Sequence, residues 1–375
     1  MAVRIGFAFN QKPSLPAPTK AGDPAVPPLD RASAHRALRP DLPQPDLYAE
    51  WDEPETIEAV ASALGALGEV IRLEADRDFP RRVMDAKPDF VFNIAEGLYG
   101  VNRESHVPSI CEFLGIPYHA SDPLSLALTL HKGRAKEIMA YYGVPTAPFV
   151  LANTRADARA VELPFPLFAK PALEGSGKGI TERSLCTNRA KLVQVVGDLL
   201  DTYQEPVLIE TWLPGQEFTV AVLGNGKETR CLPLVGMKWD ALPLGATPIY
   251  GYEAKWLWDT PEHPLDLFEC PARIPKELAR DIRAAALSAY RILGCRDWCR
   301  IDVRCDAAGR PMVVELNPLP GILPNPSDNS CFPKAARAAG ISYDGLIHTV
   351  ADIAWRRISG RSLLKDSVKR KRAAA

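Results

Sequence analysis

The sequence predicts an α/β chain of two or three domains, and three observations carry that expectation. Strand-like and helix-like segments alternate over the first 120 residues, the pattern of a parallel sheet with helices on its faces. Further on, a strand runs into a glycine-rich loop, "PFPLFAKPALEGSGKGI". Finally, "CRIDVRCDAAGRPMVVELNPLPG", residues 299–321, reads as a two-stranded hairpin that carries an aspartate, a glutamate and an asparagine. A length of 375 residues is enough for this organisation.

In chain order, Val3–Phe9 is the first strand. Residues 11–45, rich in Pro, Ala and Asp, read as a long irregular excursion: disorder, or a lid over a site. "EPETIEAVASALGALG" then places Ile57, Val60, Ala61, Leu64 and Leu67 at helical spacing, with Gly68 as a stop. "EVIRLEAD" and "DFVFNIAEG" are strands, and "SHVPSICEFLGIPYHA" reads as helix then strand. Four units are expected: 1–120, 121–211, 212–360 and a basic tail, 361–375. "HKGRAKEIMAYYG" and "RAKLVQVVGDLLDTY" are helices of the second unit, with "PVLIETWL" a further strand. The third opens with strand "EFTVAVLG" and continues through helix "PKELARDIRAAALSAYRILG" to the hairpin and a last helix, roughly Tyr343–Arg357. The tail "KRKRAAA" is set aside as a flexible end or an expression scar.

The hairpin turn falls at Asp306-Ala307-Ala308-Gly309. A turn centred between Ala308 and Gly309 sets Asp302 opposite Glu315 and Arg300 opposite Asn317, all four on one face. Two carboxylates facing each other repel. A cation between them removes the penalty, and an all-oxygen set suits Mg²⁺. The plain alternative is a solvated face with incidental charges. The glycine-rich loop can bring successive backbone N–H groups to a phosphate, although it has neither Walker A nor dinucleotide-fingerprint spacing. A simple turn explains it equally well.

The bulk numbers exclude other classes. A net charge of −1 argues against nucleic-acid binding. No apolar run is long enough to span a bilayer, and "MAVRIGFAFNQKP" lacks a signal-peptide core, so a cytoplasmic protein is expected. The eight cysteines include no C-x-x-C pair and are expected to be reduced and mostly buried.

"FAKPALEGSGKGI", "LIETWLPGQEFTVAVL", "GYEAKWL" and "GCRDWCRIDVRCDAAGRPMVVELNPLPG" occur in that order. Together they resemble the ATP-grasp carboxylate–amine ligases, and within them the D-alanine–D-alanine ligases, over about residues 88–350. The resemblance implies an N-terminal Rossmann-like parallel-sheet domain followed by a two-subdomain ATP-grasp fold, α+β in that part. It implies ATP and Mg²⁺, with Mn²⁺ as an alternative. Asp302, Glu315 and Asn317 match metal ligands, and Arg300 the arginine beside the transferred phosphate. Lys132, Lys170 and Lys255 match nucleotide-phosphate lysines. Glu174, Gly175, Ser176, Gly177, Lys178 and Gly179 match the loop that closes over the triphosphate, expected to be mobile without nucleotide. Glu210, Thr211, Trp212 and Leu213 match the adenine hinge, and Glu217 the ribose carboxylate.

Departures fall on the amino-acid side. The first strand ends "GFAFNQKPS" where the family carries a glutamate that holds the substrate ammonium. Glu96 stands where the family has a histidine. The loop "PGILPNPSDNSCFP" is longer than usual, so either Ser327 or Ser330 matches the carboxylate-binding serine. Glu96 and Arg103 are therefore candidate pocket residues, as are Glu50 and Asp52, although helix capping is the favoured reading of that acidic stretch. The expected activity is an ATP-dependent ligase joining small amino-acid-like substrates. A D-alanine–D-alanine ligase with a remodelled pocket, a nucleotide-binding protein without catalysis and a phosphotransferase are the alternatives. A homodimer is left open.

Overall fold

The computed structural model describes residues 2–13, 48–251, 254, 258 and 265–364. Lys255, residues 14–45 of the Pro-rich segment and residues 365–375 of the tail lie outside these described residues.

Three sheets organise the chain. The first is parallel, in the order β2-β1-β3, from β1 (Arg4–Phe9), β2 (Glu69–Glu74) and β3 (Phe90–Asn93). Helix α1 (Pro54–Gly65) connects β1 to β2, with its proline at a position that needs no N–H. α2 (Phe79–Ala86) and α3 (His106–Leu114) follow. The strand expected after α3 is reduced to a single bridge between Val91 and Tyr118. Next come α4 (Pro123–Leu130), which the sequence reading missed, and α5 (Lys132–Tyr141).

The second sheet is antiparallel, order β4-β7-β5-β6, from β4 (Phe149–Ala152), β5 (Leu167–Pro171), β6 (Leu185–Cys186) and β7 (Val207–Thr211). Helices α6 (Arg155–Ala160) and α7 (Arg189–Tyr203) belong to it. The third runs β11-β10-β8-β12-β13, with β9 on β8. Its strands are β8 (Glu217–Leu223), β9 (Arg230–Cys231), β10 (Val235–Met237), β11 (Phe268–Glu269), β12 (Trp298–Cys305) and β13 (Pro311–Asn317). α8 (Lys276–Ile292) packs beneath it, and α9 (Cys331–Ala338) and α10 (Tyr343–Ser359) close the chain.

The cores do not divide as the sheets do. Ile5, Phe7, Phe90 and Phe92 of the first sheet share one apolar cluster with Trp298, Phe332, Leu346 and Val350. His348 of α10 also reaches the Ala63 carbonyl of α1 at 2.8 Å. The second sheet has a core of its own, Leu167, Ala169, Val207 and Ile209 against Leu192 and Val196 of α7. The eight cysteines are free thiols, five of them buried. Among the described residues no helix is long and apolar enough to cross a membrane.

Candidate active site

The hairpin β12–β13 pairs Asp302 with Glu315 and Arg300 with Asn317, as the alternation predicts. It reaches that register by another route. Cys305 pairs with Pro311, which centres the turn on Ala308, and a bulge between Asp302 and Val303 absorbs Val314 and restores the expected pairing at the site end. On the other flank β8 sets Thr219 opposite Asp302, and its hydroxyl donates to Asp302 Oδ1 at 2.9 Å. Arg300 lies 3.1 Å from Asp302 Oδ2 and 3.7 Å from Glu315. Lys132, at the start of α5, is 3.5 Å from the other Glu315 oxygen. Cations from two elements thus offset the repulsion of the facing carboxylates. Two carboxylates and the Asn317 amide are hard oxygen donors that leave positions for water and phosphate, which fits Mg²⁺.

Behind the hairpin lies a buried charge triad. Glu210 on β7 sits 2.9 Å from Lys170 on β5 and 2.8 Å from Lys136 on α5. Burial alone would raise the Glu210 pKa, but the two ammonium groups pull it down to about 2. Lys136 is fully buried and also donates to Thr146 Oγ1 at 2.6 Å. Sequence reasoning missed it; its only signal is a place one helical turn after Lys132. The Glu210 side chain is thus committed to lysines. The N–H groups of Thr211 and Trp212 go to Pro148 and Pro166 carbonyls. That of Leu213 has no protein acceptor among the described residues. Trp212 stacks on Phe168 at 5.6 Å and carries Arg304 over its ring at 4.3 Å, while Arg304 holds Glu217 at 2.8 Å.

The loop 174–179 is fastened to the first domain. Ser176, Gly177 and Gly179 all take positive φ, +51°, +76° and +69°, which turns the chain sharply. Lys132 donates to the Glu174 carbonyl at 2.6 Å. Glu50 accepts from the Gly175 N–H at 2.9 Å, from Lys178 at 2.8 Å and from Arg103 at 2.9 Å. Lys178 is also 3.1 Å from Glu174. A Cβ on Gly175 would stand 2.4 Å from Glu50 Oε1, so only glycine admits this contact. Burial works against the Glu50 charge, yet Lys178 and Arg103 hold its pKa far below the ordinary carboxylate range. The capping reading of this acidic stretch is therefore corrected. Glu53, not Glu50 or Asp52, occupies the N-cap of α1, with no side-chain cap bond. Arg103 likewise is spent on Glu50 and on the Leu173 carbonyl at 3.0 Å, not on the cavity.

All these elements border one cavity of about 850 Å³. Glu96 and Asp52 of the first domain line it, with Ser327 and Ser330 of the loop after β13 and with Lys170, Glu210, Trp212, Arg300, Asp302 and Glu315. Ser330 is buried, donates to the Gly321 carbonyl at 3.1 Å and accepts from the Leu323 N–H at 3.2 Å. Ser327 is exposed and bonded to Asn325 at 2.8 Å. Burial, then Glu104 and Glu50, drive the Glu96 pKa well above its ordinary value.

Residues 138–352 match the family model described as the D-ala D-ala ligase C-terminus. The chain is 34% identical over 334 residues to the uncharacterised protein y4sG of Sinorhizobium fredii, covering 87% of this chain and 93% of that one. It is 33% identical over 304 residues to the D-alanine–D-alanine ligase of Desulforudis audaxviator, 80% and 92% of the two chains. A crystal structure of the D-alanine–D-alanine ligase from Bacillus anthracis superposes with TM-score 0.66 at 22% identity, over 95% of this chain and 98% of that one. That likeness bears on the fold alone.

Proposed function

Because the chain belongs to the D-alanine–D-alanine ligase family of ATP-grasp enzymes, ATP-dependent ligases that form ADP, we propose that it activates the carboxylate of a small amino acid or peptide and joins it to an amine, with D-alanine paired with D-alanine a poor substrate. The substrate carboxylate takes the γ-phosphoryl group, ADP leaves, and the amine then displaces phosphate from the acyl phosphate. The observation that supports this best is the hairpin, where Asp302 and Glu315 face each other between Arg300 and Lys132. A divalent cation held by Asp302, Glu315 and Asn317 would neutralise charge on the phosphates. Arg300 and Lys170 face the same charge from the cavity wall, so catalysis is positioning and electrostatics. Trp212, Leu213 and Glu217 receive the nucleoside, the loop 174–179 covers the phosphates, and Lys255 joins them by resemblance. We assign Glu50 and Arg103 to setting that loop.

On the amino-acid side, Glu96 takes the substrate ammonium. It ends a parallel strand over the crevice where such sheets bind ligands, and among the described residues its carboxylate makes no hydrogen bond or ion pair. The named relatives favour a second reading, a D-alanine–D-alanine ligase with a rebuilt pocket. A screen of amino-acid pairs for ADP release, with products identified by mass, separates them. Amide formation with D-alanine excluded supports the proposal. Efficient D-alanyl-D-alanine synthesis overturns it.

A further inference from the structure

The first-domain end of the cavity carries more negative charge than one α-ammonium can answer. Lining residues there include Glu50, Asp52, Glu53, Glu55 and Glu96 against the single cation Lys12. Glu50 is satisfied by Arg103 and Lys178, and Lys12 lies 2.9 Å from Glu53. Glu55 is exposed, which leaves Asp52 and Glu96; Asp52 feels the charge of Lys12 without an ion pair among the described residues. Backbone geometry brings them together. The Asp52 N–H donates to the Asn10 carbonyl at 2.9 Å, while Asn10 Oδ1 accepts from the Gly97 N–H at 2.9 Å. Trp51 Nε1 closes the frame on the Gly97 carbonyl at 3.0 Å. Both acids therefore stand over the C-terminal ends of the adjacent strands β1 and β3.

A second observation points to a ligand here. The Thr56 hydroxyl, on the first turn of α1, belongs to a residue that lines the same cavity and is 1% exposed, and it has no partner among the described residues. A buried hydroxyl without a partner is costly in a folded protein, and a ligand N–H would satisfy it. Of the groups that face Asp52, Lys12 lies on Glu53 at 2.9 Å, and Tyr343, which senses the Asp52 charge, donates to the Ile322 carbonyl at 2.8 Å.

We propose that Asp52 and Thr56 form a second ammonium subsite beside Glu96, so that one substrate is a basic amino acid or a short diamine. This rests on the ligase reading for the cavity's use, but its test does not. Binding of 2,4-diaminobutyrate, ornithine and lysine is measured by calorimetry on the full chain with Mg²⁺ and a non-hydrolysable ATP analogue. The uncharged counterparts 2-aminobutyrate, norvaline and norleucine serve as comparison, both enantiomers of each. At least one basic compound should bind roughly 10- to 100-fold more tightly than its neutral counterpart, the range of one charge-assisted contact. Asp52→Asn and, separately, Thr56→Val should erase that ratio while the nucleotide analogue still binds. Equal binding of basic and neutral compounds, or a ratio untouched in both variants, overturns the subsite. So does an affinity that follows divalent-metal concentration instead of ligand charge. ADP release on the same compounds reports on the ligase reading separately. Preferential binding without turnover keeps the subsite and removes that reading, and turnover of neutral pairs alone does the reverse.

Discussion

The two ends of the cavity treat charge in opposite ways. At the nucleotide end every acid has a cation within reach: Glu210 between two lysines, Asp302 and Glu315 beside Arg300 and Lys132, Glu217 on Arg304. At the amino-acid end Glu96 and Asp52 have no ion-pair partner among the described residues, and burial pushes the Asp52 carboxyl up to about 7 despite Lys12 nearby. A protein prearranges paired charges where the ligand is a polyanion whose form never varies. It leaves acids unpaired where the ligand itself supplies the cation. The first end therefore reports the family, and on our proposal the second reports the substrate.

The sharpest way to break the comparison is at the hairpin. Glu315→Gln should lower ADP release by about 10³-fold, comparable to losing a preorganised electrostatic group, with the fold preserved by circular dichroism. Near-normal turnover would show that the paired end is merely structural. Next in size is the fastening of the loop. Glu50→Gln removes the partner of Lys178 and Arg103, a break of a buried pair that costs about 3–5 kcal/mol in comparable cases. The ATP KM should rise by at least about tenfold, and protease cleavage within 174–179 should become dependent on nucleotide. Unchanged cleavage would detach Glu50 from the loop.

Lys136→Met tests the triad more gently. Glu210 keeps Lys170 but loses its second partner, so the ATP KM should rise by about tenfold with kcat nearly kept. An equal loss in kcat would place Lys136 nearer the chemistry than its burial suggests. The smallest effect concerns pH. The folded Asp52 carboxyl titrates above its unfolded value of about 4, so its contribution to stability is present below that value and lost as pH rises through about 7. Asp52→Asn carries no such loss. Its Tm relative to wild type should rise by about 2 °C between pH 5 and pH 8, measured without substrate. A constant difference would remove Asp52 from the buried acids.

Much of the paired end was legible because local rules suffice there. Strand alternation with an assumed turn centre set Asp302 opposite Glu315, and the bulge at Val314 made up for a turn placed half a residue too late. The long helices were readable for the same reason, α7 to the residue. What escaped depends on distant partners. Lys136 looks like any lysine on a helix until β7 supplies Glu210. Glu50 looks like a cap because its true partners are 53 and 128 residues away. The strand after α3 was predicted from apolar content, but only Tyr118 finds a neighbour on the sheet.

The unequal sharing of cores has a mechanical consequence. The first and third sheets are cemented by one apolar cluster running from Phe7 to Trp298 and Phe332, so they behave as a single rigid jaw. The lobe of β4–β7 carries its own core and meets that body through polar contacts, such as Thr146 on the Val313 carbonyl at 2.8 Å and Lys132 on the Glu174 carbonyl at 2.6 Å, and through Leu151 against Gly133 of α5. A lobe with a core of its own can turn as a unit, which is what hinge closure about chain crossings such as those near 145 and 213 requires. Glu50 reaches from the jaw across the gap to that lobe and acts as its clasp.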